Sequence, residues 1–151
     1  MTRIGIISDT HNYLDENVFD YFKDVDMIWH AGDIGTQEVT DQLKAFKPLY
    51  AVHGNIDGHE LRAEFPENQL IDVEGCRIFI THIAGAVGKY NSRVVKIIQE
   101  QKPAILVCGH SHIVKVIKDI NYNLLHINSG AAGIHGFHKM RTIIRFEIEN
   151  G

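Results

Sequence analysis

Five short apolar runs rich in β-branched residues divide the chain: "RIGIIS" from Arg3, "MIWH" from Met27, "PLYAV" from Pro48, "RIFIT" from Arg77 and "AILVC" from Ala104. Each has strand length and is apolar almost throughout, the pattern of a strand covered on both faces. Between the first and second runs, Leu14, Val18, Tyr21, Phe22 and Val25 fall on one face of a helix; between the second and third, Val39, Leu43 and Phe46 do the same. Strand, helix, strand, helix, strand with right-handed crossovers makes a parallel sheet, and the carboxyl ends of its strands emerge along one edge. Ligand sites of open α/β sheets form at that edge.

After the third run the rhythm changes. "NQLIDVEGCRIFITH" reads as two strands joined at Glu74-Gly75, and Ser92 to Gln101 as a helix burying Val94, Val95, Ile97 or Ile98. "IVKVIKDINYNLLHINSG" alternates around an Asn-rich turn, and Met140 to Ile148 alternates again, so the C-terminal third reads as antiparallel strands. No linker, repeat or low-complexity segment interrupts residues 1–151, and Gly130 to Gly136 is the most flexible-looking loop. A length of 151 residues suits one domain with a core that needs no staples.

The residues just past the apolar runs carry chemistry. Asp9 and His11 follow the first, Asp33 the second, Asn55 the third, His82 the fourth, and His110 with His112 the fifth. Taken singly each has a plain explanation: Asp9 as a helix cap, Asp33 and Asn55 as turn residues beside glycine, His82 as a satisfied histidine. Placement at five successive strand ends is not what turn chemistry dictates. Seven donors exceed what one ion with an open position can use, whereas two ions about 3.5 to 4 Å apart sharing one bridging carboxylate use them well. Mixed oxygen and nitrogen donors without thiolate suit transition metals rather than Mg²⁺ or Ca²⁺. Two divalent ions are expected, Mn²⁺ first, with Zn²⁺, iron, Co²⁺ or Ni²⁺ as alternatives.

Composition narrows the partners. Ten histidines are a surplus that fits a metal site, while Cys76 and Cys108, isolated in apolar surroundings, suit neither a disulfide framework nor a thiolate site. A net charge of −4 argues against capture of long nucleic acid and leaves a small phosphorylated ligand. No apolar stretch is long enough to cross a bilayer, and the run Ile4 to Ile7 is too short for a secretory signal, so a cytoplasmic location is expected. Oligomeric state is not legible, and a homo-oligomer stays open.

The blocks "SDTHN", "HAGDI", "HGNID", "ITH" and "CGHSH", in that order, resemble those of the calcineurin-like metallophosphoesterase superfamily, especially its small bacterial and archaeal phosphodiesterases. The resemblance runs from Ile4 to about Gly130. It implies a four-layer α/β/β/α sandwich of two mixed β-sheets flanked by helices. It also implies that Asp9, His11 and His112 hold one metal, Asn55, His82 and His110 the other, and that Asp33 bridges them. His110 and His112 would then each face a different ion, with Gly109 letting the backbone turn between strand and ligands. Asn55, Asp33 and His110 are the residues expected closest to the reaction, Asn55 also as an amide donor to a phosphoryl oxygen. The expected chemistry is hydrolysis of a phosphate ester, most simply a diester, by a hydroxide held between the ions.

The chain also departs from the pattern. Ile56 stands where larger members place a histidine after "GN", so the usual general acid is missing and good leaving groups are favoured. His59 or His53 are the candidates to substitute, each more simply an exposed loop histidine. "INSGAAG" replaces the usual Asn-Pro-Gly-Ser, and "THIAG" interrupts the His-Gly pair after His82; His135 and His138 read as exposed loop residues, His30 and His126 as supporting or structural ones. The alternatives to a phosphodiesterase are a metal-binding interaction scaffold on the same fold, like the small phosphoesterase-fold subunit of retromer, and a phosphomonoesterase. Retention of all seven donors favours the enzyme.

Overall fold

The computed structural model describes residues 1–151. In chain order the elements are β1 (Thr2–Ile7), α1 (Asn17–Tyr21), β2 (Met27–His30), α2 (Gln37–Phe46), β3 (Leu49–Ala51), α3 (His59–Glu64), β4 (Asn68–Val73) and β5 (Cys76–Thr81). There follow β6 (Gly85–Ala86), β7 (Lys89–Tyr90), α4 (Ser92–Gln101), β8 (Ile105–Cys108), β9 (Val114–Asp119), β10 (Leu124–Ser129) and β11 (Ile144–Ile148).

Two mixed sheets result. One has the order β11-β1-β2-β3, with β1, β2 and β3 parallel and β11 antiparallel to β1, Ile4 opposite Phe146. The other has the order β4-β5-β8-β10-β9, with β5, β8 and β10 parallel and the two outer strands antiparallel. The hairpin from β4 to β5 turns through Glu74 (φ 48°) and Gly75 (φ 81°), the left-handed pair that a tight two-residue hairpin requires.

Strand alternation explains why the runs are apolar on both sides. Ile4, Ile6 and Trp29 of the first sheet meet Ile78, Ile80, Ile105 and Val107 of the second in one buried layer. Their neighbours point outward: Ile28 and Ala51 lie under Val18, Phe22, Val39, Leu43 and Leu61, and Phe79, Leu106 and Leu124 lie under Val94 and Ile98 of α4. The layers run helix, sheet, sheet, helix, the sandwich that the resemblance implied. No helix is long and apolar enough to cross a membrane.

Two expectations change, and one helix is new. The apolar strands do not share one sheet: β5 and β8 belong to the second, so the edge that carries the candidate donors is two facing edges. The helix expected through Leu14 to Val25 shrinks to α1, and Tyr21, placed on its buried face, is 54% exposed. Asp26 N–H donates to Arg3 O and the Asp26 carboxylate accepts Arg3 N–H, both at 2.8 Å, and this draws the chain back to β1 before another turn can form. The short helix α3 was not legible because one buried residue, Leu61, sets no period.

Candidate metal centre

The carboxyl ends of β1, β2 and β3 face those of β5 and β8, and the loops that follow them bring all seven candidate donors to one place. Asp9, Asp33 and His82 are buried, His11 and His112 half-buried, and Asn55 and His110 exposed. Asp9, His11 and His112 form one group and Asp33, His82 and His110 another, the ligand atoms within each lying within 4.8 Å of one another. Asp33 Oδ2 lies 3.3 Å from His11 Nε2 and 3.2 Å from His82 Nε2, so it reaches both groups. Asp9 Oδ1 lies 3.2 Å from His112 Nε2 and 3.8 Å from His82 Nε2. Asn55 Oδ1 joins the second group at 3.2 Å from His110 Nδ1.

Three of these atoms, Asp9 Oδ1, His11 Nε2 and His82 Nε2, are buried without a hydrogen-bond partner. Unpaired buried polar atoms are costly, and three converging on one spot describe a site shaped for a cation. Carboxylate and imidazole donors with no thiolate fit divalent transition metals.

The backbone is strained at the same residues. Asp9 (φ 52°), His11 (45°), Asp33 (55°), His110 (73°) and His112 (64°) all occupy the left-handed region. Each such residue costs about 1–3 kcal/mol, and such strain collects where function requires a particular geometry. Backbone pairing holds it in place: Asp9 N–H donates to Gly32 O at 2.9 Å and His11 N–H to Asp33 O at 3.0 Å. Gly109 is not the turning residue, since His110 and His112 take the left-handed φ; it is needed because a Cβ there would lie 2.7 Å from Asp9 Oδ2.

Two supporting residues escaped the sequence reading. Buried Asp57 accepts the N–H groups of Ile34 (3.1 Å), Gly35 (2.9 Å) and Gly54 (2.7 Å), tying the Asp33 loop to the Asn55 loop. Its signal was the aspartate of "GNID", an acidic side chain placed to cap its own turn. Asn128 donates Nδ2–H to Gly109 O (3.0 Å) and Ser111 Oγ (3.1 Å), fixing the loop of His110 and His112; nothing in the alternation of β10 marked it. Asp57→Ala leaves three buried N–H groups without their acceptor, and denaturant unfolding should show a loss of about 3 kcal/mol or more. A loss under about 0.5 kcal/mol, the range of an ordinary surface substitution, would refute the clasp.

Electrostatics follow the geometry. Burial opposes ionisation of Asp9, yet His11, His82 and Ser8 outweigh it and hold the carboxyl below its ordinary range; Asp33 behaves alike, with His82 the main neighbour. The Asp9 carboxylate raises the His11 pKa, and both carboxylates raise that of His82 against its burial. Burial lowers that of His112.

The remaining histidines separate clearly. Burial pushes His30 down to about 4, and its neutral ring accepts from Gly32 N–H at Nδ1 (3.1 Å) and donates from Nε2 to Thr10 Oγ1 (3.1 Å), a structural post between the two carboxylate loops. His126 is buried 3.3 Å from the Tyr90 hydroxyl. His59 is exposed, whereas His53 is half-buried with Nδ1–H donating to Phe65 O at 2.9 Å. His135 stacks on His11 with centroids 4.7 Å apart. His138, expected to be exposed, is half-buried edge-on to His112, with Nε2 2.7 Å from Gly133 O. Cys76 and Cys108 are buried free thiols, and burial pushes Cys108 up to about 12.

With this centre defined, comparison with known proteins gives its class. Residues 2–151 match the calcineurin-like phosphoesterase superfamily domain, and the chain belongs to that family. It is similar to a probable metallophosphoesterase of Methanothermobacter thermautotrophicus, 32% identical over 115 residues, 72% of this chain and 66% of that protein. It is also similar to a phosphodiesterase of Methanocaldococcus jannaschii, 26% identical over 144 residues, 85% of this chain and 82% of that protein. The fold is that of the zinc complex of Vps29 from Entamoeba histolytica, with a TM-score of 0.74 at 19% identity over 98% of this chain and 87% of that one.

Proposed function

We propose that this protein is a dinuclear metal-dependent phosphodiesterase acting on small phosphate esters with good leaving groups. The reading rests on one observation above the rest: two carboxylate–histidine groups, joined through Asp33, leave three buried polar atoms without partners. In it Asp9, His11 and His112 hold one ion, Asn55, His82 and His110 the other, and Asp33 bridges. Two bound ions, Mn²⁺ in the first instance, would supply a nucleophile at neutral pH and neutralise charge on the phosphoryl group.

The chain's own residues supply the rest. Asn55, exposed at the mouth, presents amide hydrogens to a phosphoryl oxygen, and its Oδ1 faces the His110 ring. Ile56, 45% exposed, offers no proton where a leaving oxygen would need one, so an already acidic leaving group is required. The phosphodiesterase name of the M. jannaschii relative agrees with a diester. A scaffold role, the second reading, gives no reason for buried, strained and unpaired ligands.

The test strips the protein with chelator, restores Mn²⁺ and compares bis-p-nitrophenyl phosphate with p-nitrophenyl phosphate. Cleavage of the diester in preference to the monoester, abolished by chelator and by His110→Ala, is the expected result. A folded protein that binds metal but cleaves neither ester with Mn²⁺, Zn²⁺, Co²⁺ or Fe²⁺ would favour the scaffold.

A further inference from the structure

Two cavities flank the metal centre, and they differ in character. One of about 340 Å³ opens beside His110 and is walled by Ile83, Ala84, Val87 and Ile113 together with polar groups. The other, about 410 Å³, opens beneath Asn55 and His82, has Ile83 as its one hydrophobic wall, and carries Arg62, Arg93, His53 and Glu67.

The two arginines are not equivalent. Arg93 is satisfied: its Nε lies 3.3 Å from Glu67, and its terminal nitrogens donate to Asn68 Oδ1 (2.6 Å) and Ile83 O (3.0 Å). Arg62 touches only backbone carbonyls, Nε donating to Asp57 O (2.6 Å) and Nη2 to Gly54 O (3.3 Å) and Asn55 O (3.2 Å). A guanidinium has five N–H donors in a fixed fork. Arg62 is exposed, its Nη1 hydrogens have no acceptor within the protein, and no carboxylate neutralises its charge, although four of the six arginines are ion-paired.

The geometry points to an anion subsite at Arg62: the cavity beneath Asn55 takes a second phosphate group of the substrate while the scissile phosphate lies at the metal centre. The inference rests on the phosphodiesterase reading and narrows it to diesters whose other arm carries a further phosphate, as in short nucleotides. Asn55 links the two positions, its side chain at the centre and its carbonyl on the Arg62 guanidinium. With Glu67 balancing Arg93, Arg62 leaves the cavity with one net positive charge. Its bonds to the "GNID" loop also describe a purely structural clamp, so the test must separate the two roles.

Thymidine 5′-(p-nitrophenyl phosphate) and the same diester bearing a 3′-phosphate share a leaving group and differ by one anion. The metal-loaded enzyme should prefer the 3′-phosphate by about tenfold in kcat/KM, carried by KM, the scale of one charge-assisted hydrogen-bonded pair. In Arg62→Gln the preference should fall towards one, with Arg62→Lys keeping part of it. A clamp would slow both esters alike and leave the ratio intact, and that result, or equal rates in the natural protein, overturns the subsite. Calorimetry with thymidine 3′,5′-bisphosphate against thymidine 5′-monophosphate reads the subsite without turnover. A tenfold affinity difference lost in Arg62→Gln supports it, and equal affinities refute it. That difference without cleavage of either ester would refute the phosphodiesterase and leave the subsite standing.

Discussion

Asp33→Asn should reduce metal-dependent diester hydrolysis by on the order of 10³-fold or more in kcat/KM, at least about 4 kcal/mol of transition-state stabilisation. Asp33 Oδ2 lies within 3.3 Å of histidines from both ligand groups, whereas Asp9 Oδ1, the other carboxylate atom near both, comes only to 3.8 Å of His82. The change is nearly isosteric, and the amide oxygen can still accept from Ile56 N–H, which lies 3.1 Å from Oδ1. The fold should therefore survive, and the loss should appear in turnover rather than in the circular dichroism spectrum. A folded variant retaining more than a tenth of the activity would show that Asp33 does not bridge.

Metal should also stabilise the folded chain strongly. Binding a thousandfold above its dissociation constant adds about 4 kcal/mol, and at about 2–4 °C per kcal/mol for a chain of this size the melting temperature should rise by roughly 8–16 °C. The physical source is the relief of Asp9 Oδ1, His11 Nε2 and His82 Nε2, buried and unpaired without the ion. The difference should depend on pH. In the metal-free protein the raised pKa values of His11 and His82 stabilise the fold fully below the ordinary histidine value near 6.5, and that contribution is lost as pH rises through the raised values. Ligands must also lose their protons to bind metal, so the gap between metal-loaded and chelated protein should widen from pH 6 to pH 8. Thermal unfolding with Mn²⁺ and with chelator measures it, and equal melting temperatures at pH 8 would count against the site.

What the sequence made legible divides along physical lines. The donor positions could be read because each sits just past an apolar run, and the end of a buried strand is easily marked. That those runs are covered on both faces was legible from their near-continuous apolarity. The partition of strands into two sheets was not, because a strand covered on both faces looks alike whichever sheet holds it; only the family resemblance supplied that layer. Tyr21 was misplaced because helical spacing says nothing of where long-range hydrogen bonds such as that between Asp26 and Arg3 stop a helix. Asp57 and Asn128 act through backbone groups distant in sequence, and Arg62 is notable for a partner it lacks; neither property is written in local pattern.

The most direct test of the centre is a crystal grown with Mn²⁺ and measured at the manganese absorption edge. Two anomalous peaks about 3.5 to 4 Å apart are expected, one within ligand reach of Asp9, His11 and His112, the other of Asn55, His82 and His110, with Asp33 between them. A single peak at full occupancy, or peaks held by other residues, would contradict the dinuclear site.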